Sequence, residues 1–325
     1  MQTLEGIGNR IALVGPTASG KTAVAIQLAV RLGAEIISAD SMQVYRHMNI
    51  GTAKPTAEER RQATFHAIDV ADPDQGWTLT DYQQLGEEVC RGLIARGRAP
   101  LIAGGTGLYV RALTTVLDIP TAPPDEAFRA RLREFAETNG NAALLARVAA
   151  IDPDTAARLH VNDIGRQIRA LEVHAASGRT LTDLHTENRA RQPEEQPSLF
   201  GLNFADRALF YQRIDDRVDQ MLEEGLLDEV RGLLARSYSA ALKPMQSLGY
   251  RHMTAALAGD MSFGLAVAAM KQDTRRFARR QLIWFRGDPR IHWILADGKG
   301  AAQVADEILN HIQTQRQHKG DFASQ

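Results

Sequence analysis

Eight residues near the start of the chain, Gly15-Pro16-Thr17-Ala18-Ser19-Gly20-Lys21-Thr22, have the types and spacing to hold a phosphate chain. They fit G-x-x-x-x-G-K-[ST], in which N–H groups of the loop and the following helix surround the phosphates and a lysine reaches them. Lys21 takes that place, and the Thr22 hydroxyl is the candidate ligand for a magnesium ion, Mg2+, bridging phosphate oxygens. The pattern specifies a phosphate chain, not the molecule that carries it, and leaves open whether the group is transferred or expelled.

Three further sets could complete a site. In Asp40-Ser41-Met42-Gln43-Val44-Tyr45 the Asp40 carboxylate is acceptor-only when ionised, which suits a general base, an outer partner of Mg2+ or the cap of a following helix. Gly104-Gly105-Thr106-Gly107-Leu108-Tyr109 sets one hydroxyl among small residues, so Thr106 could turn O–H and N–H groups to a phosphate, or the glycines could simply make a tight turn. Arg213 and Arg217 lie four apart in the amphipathic stretch 211–221 and could meet phosphate or pair with the carboxylates beside them.

The elements that must position these groups read as a parallel α/β fold. Short apolar runs at 11–14, 35–38, 67–70 and 101–103 alternate with helical patterns, and a fifth run at 199–202 and a sixth at 291–295 return to the same theme. In such sheets ligands collect beyond the carboxyl ends of the strands, and the glycine loop, Asp40 and Thr106 each follow such a run. Between Pro120 and Pro197 the composition changes to an Ala- and Arg-rich helical pattern. The expectation is a P-loop NTPase-like parallel sheet flanked by helices, made of residues 1–120 and 197–318, with an all-helical insertion at 121–196 and a disordered tail at 319–325.

Composition bounds the rest. The 325 residues, 44% hydrophobic and 24% charged, are those of an ordinary soluble protein, and a formal net charge of −1 announces no polyanionic partner. The basic residues are 6 Lys and 32 Arg; guanidinium suits bidentate phosphate contact, and coding bias gives the same skew. The single Cys90 excludes an internal disulfide or a cysteine-based zinc site. No apolar stretch reaches membrane length and residues 1–5 carry no signal-peptide pattern, so a cytoplasmic protein with no membrane contact is expected, as a monomer. The segment 262–286 is a long helix in which Lys271, Arg275, Arg276, Arg279 and Arg280 recur at three and four, a stripe that could follow a phosphate backbone or be a solvated face, with Phe277, Trp284 and Phe285 left for packing. The stretch 246–251, Gln246-Ser247-Leu248-Gly249-Tyr250-Arg251, reads as a loop with amide, aromatic and guanidinium groups suited to a single-stranded base.

Taken in order from about residue 10 to 295, the glycine loop, Asp40 to Tyr45, Gly51-Thr52-Ala53-Lys54-Pro55, Gly104 to Tyr109, Arg213 with Arg217, and Gly249-Tyr250-Arg251 closely resemble the bacterial tRNA dimethylallyltransferases, the isopentenyl-diphosphate:tRNA transferase family. The resemblance implies transfer of a dimethylallyl group from dimethylallyl diphosphate to the exocyclic amine of the adenosine 3′ of the anticodon, with release of diphosphate. It makes Asp40 the base, has Thr106 and Arg217 orient the diphosphate and its bridging oxygen, gives Arg213 to diphosphate binding, and sets Gln43 to read the adenine edge. It also implies tRNA contact by Asp40, Ser41, Met42 and Gln43, by Gly165, Arg166, Gln167, Ile168 and Arg169 of the insertion, which would grip the anticodon stem-loop, and by residues 246–251. Ile164-Gly165-Arg166 departs from the Pro-Gln-Arg-like run of many relatives, and the Cys/His zinc module of eukaryotic relatives is missing, which favours a bacterial form. Two other readings use the same loop: a P-loop small-molecule kinase, and an RNA-binding NTPase for which Asp69 would be a poor metal ligand.

Overall fold

The computed structural model describes residues 7–118, 125–193 and 195–322. The chain divides into two compact units, Met1–Thr114 with Glu195–Gln325, and Thr115–Glu194. The first holds β1 (Ile11–Val14), α1 (Lys21–Leu32), β2 (Glu35–Ser38), α2 (Ala57–Gln62), β3 (Phe65–His66), α3 (Leu79–Ala95), β4 (Pro100–Gly104) and α4 (Gly107–Thr114). The second holds α5 (Glu126–Asn139), α6 (Asn141–Ile151), α7 (Pro153–Arg158), α8 (Ile164–Ser177) and α9 (Leu181–Ala190). The chain then completes the first unit with β5 (Ser198–Asn203), α10 (Arg207–Glu223), α11 (Leu226–Ala235), α12 (Tyr250–Ala258), α13 (Phe263–Arg286), β6 (Ile291–Leu295) and α14 (Ala301–Phe322). Residues 323–325, the end of the expected tail, lie outside the described residues, and α14 takes in 319–322. Among the described residues no helix is long and apolar enough to cross a membrane.

The strands form one parallel sheet in the order β3-β2-β4-β1-β5-β6, as the alternation of apolar runs with helices predicts. β1 and β2 are buried at every residue because helices cover both faces, which is why they read as continuous apolar runs rather than alternating ones. Leu13, Leu28, Ile36, Leu101, Phe200 and Ile308 belong to one core that joins α1 and α14 to the sheet. Cys90 is buried in α3.

Register sets the site. Val14 pairs with Gly104 and with Gly201, and Ser38 pairs with Ala103, so β1, β2, β4 and β5 end nearly level. The residues that follow β1, β2 and β4, which are the glycine loop, Ala39-Asp40 and Gly105-Thr106, are therefore neighbours by construction.

The third strand is a correction. It spans Phe65–His66 rather than 67–70, because Ala67 and Asp69 take positive φ angles of 60° and 59° and turn the chain out of the extended conformation.

In the helical unit, Leu132, Ala136, Leu144 and Ile168 make one small core, and Val148, Ala156 and Ala170 make another. Glu172 of α8 is buried and receives Arg129 at 2.7 and 3.0 Å, Arg169 at 2.7 Å and the Asp125 N–H at 3.1 Å. Burial alone would raise this carboxyl, but the bonds from Arg129 and Arg169 hold it down at about 2.

Candidate active site

The glycine loop leaves β1 at Gly15 and enters α1 through Gly20, whose φ of 82° is left-handed and admits the tight approach to the helix. With no side-chain cap at that end, the first N–H groups of α1 stay available to an anion. The Lys21 ammonium rests on its own loop, donating to the Pro16 carbonyl at 2.6 Å and reaching the Ser19 hydroxyl at 3.4 Å. Burial pushes the Lys21 ammonium down to about 8, with Asp40 nearby opposing the shift. Thr22, the second residue of α1, has a half-buried side chain whose hydroxyl makes no hydrogen bond among the described residues.

Asp40 follows β2 and is half-buried. Its Oδ1 accepts the Met42 N–H at 2.8 Å and the Gln43 N–H at 3.4 Å, so the capping role open to it in sequence is met by a local turn while Oδ2 stays uncommitted among the described residues. Burial raises this carboxyl; the two N–H groups, Lys21 and Lys54 oppose the rise without cancelling it. A carboxylate so placed is a stronger base than a solvated one.

Thr106 ties the third loop to the second. Its N–H donates to the Ala39 carbonyl at 2.9 Å, and its Oγ1 accepts the Ser41 N–H at 3.0 Å. The glycines around it have packing reasons. A Cβ on Gly104 would meet the Ala39 carbonyl oxygen at 2.2 Å, and one on Gly107 would meet Trp284 Nε1 at 1.9 Å.

Arg213 of α10 does reach the loop, donating from Nε to the Ala18 carbonyl at 3.3 Å. Arg217, one turn on, donates instead to Gln220 at 2.9 Å, and no hydrogen bond among the described residues joins it to the glycine loop. Gln43 is committed to its own loop: Oε1 accepts from the Ser38 hydroxyl at 2.8 Å and Nε2 donates to the Thr52 and Ala53 carbonyls at 3.2 and 3.1 Å.

Several residues read as RNA contacts have structural work. The Tyr250 ring is fully buried and its hydroxyl donates to Glu229 at 2.6 Å, so the base stacking expected of it is not open to this side chain. Nor is 246–251 a plain loop, since Tyr250 and Arg251 begin α12, where Arg251 pairs with Asp273 at 2.5 Å. Gln246 is exposed, Ser247 and Leu248 are half-buried and Gly249 is buried. In the helical unit Gln167 and Ile168 are buried, while Gly165 and Arg166 are exposed. A groove of about 610 Å³ there is lined by Arg129, Arg133, Gly165, Ile168 and Arg169 among others.

The basic stripe of α13 splits by face. Lys271 pairs with Asp219 at 2.7 Å and Arg275 with Asp215 at 2.5 and 2.7 Å, which spends both on α10. Arg276 holds Asp273 at 3.2 Å, while Arg279 and Arg280 are exposed and Arg280 lies over the Phe277 ring. Phe285 is buried, but Trp284 is 44% exposed beside Gly107, which corrects its assignment to packing alone.

The roles of three residues, one of them in the 51–55 block, escape sequence reasoning. Gln281, on α13, hydrogen-bonds backbone groups at Thr17 and Gly105. Glu229 of α11 accepts the N–H groups of Asn49, Ile50 and Gly51 at 2.8–3.2 Å. Buried Lys54 binds the Asn49 side chain at 3.1 Å and Asp69 at 2.6 Å, and Arg60 takes the other oxygen of Asp69, which removes Asp69 as a metal ligand. Each works across a long sequence separation or through a loop that leaves no periodicity.

With this geometry in hand, comparisons with known proteins become specific. A family model described as IPP transferase matches residues 43–288, and one described as isopentenyl transferase matches residues 9–70. The chain is 45% identical over 304 residues to a tRNA dimethylallyltransferase of Desulforudis audaxviator, covering 93% of this chain and 97% of that one. It is 45% identical over 298 residues to the Geobacter metallireducens protein of the same name, covering 92% and 94%. Its fold is similar to the crystal structure of the full-length tRNA isopentenylpyrophosphate transferase of Bacillus halodurans, with a TM-score of 0.72 and 37% identity over 97% of this chain and 99% of that one.

Proposed function

Since the chain belongs to the IPP transferase family, we propose that its glycine-loop site carries out tRNA prenylation: it transfers a dimethylallyl group from dimethylallyl diphosphate to the exocyclic amine of the adenosine 3′ of the anticodon. The products are N6-isopentenyladenosine and diphosphate. The observation that carries the reading is the convergence of Lys21, Asp40 and Thr106 from the ends of the neighbouring strands β1, β2 and β4, a phosphate cradle facing a base.

The steps follow from the residues. The loop N–H groups and Lys21 bind the diphosphate, and Arg213 at Ala18 borders it. Lys21 moves from the Pro16 carbonyl to the diphosphate, where a neighbouring anion favours its charged form. The amine lone pair bonds to the allylic carbon as the carbon–oxygen bond breaks, and the bonding electrons leave with the diphosphate. The amine becomes acidic on bonding, and its proton passes to the Asp40 carboxylate. Thr106 holds the Asp40 turn through Ser41 and offers its side chain to the leaving oxygen, which Arg217 would meet on releasing Gln220. Thr22 fits a Mg2+ site, because this ion keeps most of its waters and takes a single hydroxyl plus phosphate oxygens. When bound, the ion would neutralise charge on the leaving group.

The anticodon loop must surrender the target base from its stack, at a cost of about a few kcal/mol. For the tRNA backbone, the arginines Arg276, Arg279 and Arg280 of α13, and Arg166 beside Gly165, are the groups set to meet it. With tRNA as its substrate, the protein works in the cytoplasm. The test is transfer of labelled dimethylallyl to unmodified tRNA bearing that adenosine, with Mg2+ present and ATP absent. Label on the adenosine is the expected result, and ATP consumption without label would return the site to a kinase or NTPase.

A further inference from the structure

The Gln281 carboxamide of α13 is 7% exposed and bridges two strand-end loops. Its carbonyl oxygen accepts the Thr17 N–H at 2.8 Å, and its amide nitrogen donates to the Gly105 carbonyl at 3.0 Å. The fit is close, since a Cβ on Gly105 would stand 2.2 Å from Nε2. Beyond Gly105 the hydrogen bonds continue: Thr106 binds the Ala39 carbonyl at 2.9 Å and the Ser41 N–H at 3.0 Å. One connected set of bonds thus runs from the phosphate loop through Gln281 and Thr106 to the turn that carries Asp40.

We infer that Gln281 is a positioning residue for group transfer, setting the distance between the loop that holds the leaving diphosphate and the base that takes the proton. The inference rests on the prenyl-transfer function above. Only a side chain that accepts and donates at one end can span these two groups; a carboxylate only accepts, and a thioether does neither well. Transfer needs the amine, the allylic carbon and the leaving oxygen in line, and a misplacement of about 1 Å is enough to cost roughly 100-fold in rate. Gln281 takes the Thr17 N–H but leaves Lys21 and the first N–H groups of α1 to hold the diphosphate, so it acts on turnover more than on affinity.

The test breaks the bridge from each side. Gln281→Met removes both hydrogen bonds at similar volume, and Gly105→Ala displaces the same amide from the opposite face. Each is assayed for transfer of labelled dimethylallyl to unmodified tRNA, for tRNA affinity and for thermal stability, beside the wild type. Expected is a fall in kcat of about 10- to 100-fold in each variant, with donor KM and tRNA Kd within about threefold of wild type. Because both variants break one bridge, the double variant should lose no more than about twofold beyond the worse single. A kcat of Gln281→Met within about twofold of wild type overturns the inference, as does multiplication of the two losses or a kcat loss that only tracks unfolding. If Gln281→Met does not fold, Gly105→Ala decides alone by the same split of kcat from KM. Wild-type protein that transfers no label rejects the function itself, and the inference with it.

Discussion

Replacing Lys21 with methionine should make the free protein more stable while abolishing its hold on diphosphate. Burial lowers the Lys21 ammonium from its ordinary 10.5 to about 8, and Asp40 opposes the fall. At 1.36 kcal/mol for each tenfold change in acidity, that corresponds to a folding cost of about 3 kcal/mol. The side chain is only half-buried, and solvent screening trims the cost to about 2 kcal/mol. Methionine fills similar space without charge, but leaves the Pro16 carbonyl without the donor it now has at 2.6 Å, a loss of about 1 kcal/mol. The net gain is about 1 kcal/mol, or about 1–2 °C in Tm for a chain of 325 residues. Because the folded value lies below the unfolded one, the charged lysine penalises the fold in full below pH 8, and the penalty fades as pH rises from 8 towards 10.5. Calorimetry at about pH 7 and about pH 10, with and without inorganic diphosphate, reads all three consequences. The variant should melt above wild type at the lower pH, lose that lead at the higher, and gain nothing from diphosphate, which should stabilise wild type. A variant that melts below wild type at neutral pH, or whose lead grows with pH, refutes the reasoning.

Asp40→Asn should lower the transfer rate by about 100- to 10,000-fold with tRNA affinity retained, and the acid limb of the wild-type kcat profile should lie above the ordinary carboxylate range; normal turnover by the variant removes Asp40 as the base. Neutralising Arg279 and Arg280 to glutamine should weaken tRNA binding and reduce the slope of log K against log salt by roughly 0.7–0.9 for each phosphate no longer neutralised, so an unaltered slope in a salt titration refutes that face as the RNA-binding one. Arg275→Gln, which breaks the pair with Asp215, should instead cost up to about 1 kcal/mol of stability and leave the slope unchanged, as denaturant titration and the same binding assay will report. Tyr250→Phe should cost about 1.5–3 kcal/mol in denaturant titration by taking the hydroxyl from Glu229, with tRNA affinity unchanged; weaker tRNA binding at full stability would show that the ring meets RNA.

The parallel sheet and its glycine loop are legible in the sequence because they depend on local pattern: an apolar run, a fixed glycine spacing and an amphipathic helix. The meeting of Asp40 and Thr106 with that loop follows from the rule that strand ends gather ligands, given strands that end level. What fails depends on contacts between distant segments. Tyr250 and Arg251 look like an RNA-binding pair side by side, yet successive helical residues face different ways, and one is buried on Glu229 while the other meets Asp273. Arg275 and Arg279 belong to one sequence stripe, but only the packing of α10 decides that the first is spent on Asp215. The apolar residues at 67–70 suggest a strand, and the positive φ at Ala67 and Asp69 prevents it. Gln281 gives no local signal, since a glutamine in a long helix looks like surface until its two backbone partners are known.

The contacts of Glu229 bear on how the chain can be recombined. Three backbone N–H groups from 49–51 and the Tyr250 hydroxyl converge on one carboxylate, while a Cβ on Gly51 would stand 2.4 Å from the Tyr250 ring. Gly51, Glu229 and Tyr250 are thus a single fitting divided among three distant stretches of chain. A chimera joining the first half of this chain to the second half of a relative should keep the fitting only where the relative also places a carboxylate at 229 and a tyrosine at 250, so a half-swap tests this contact before any chemistry.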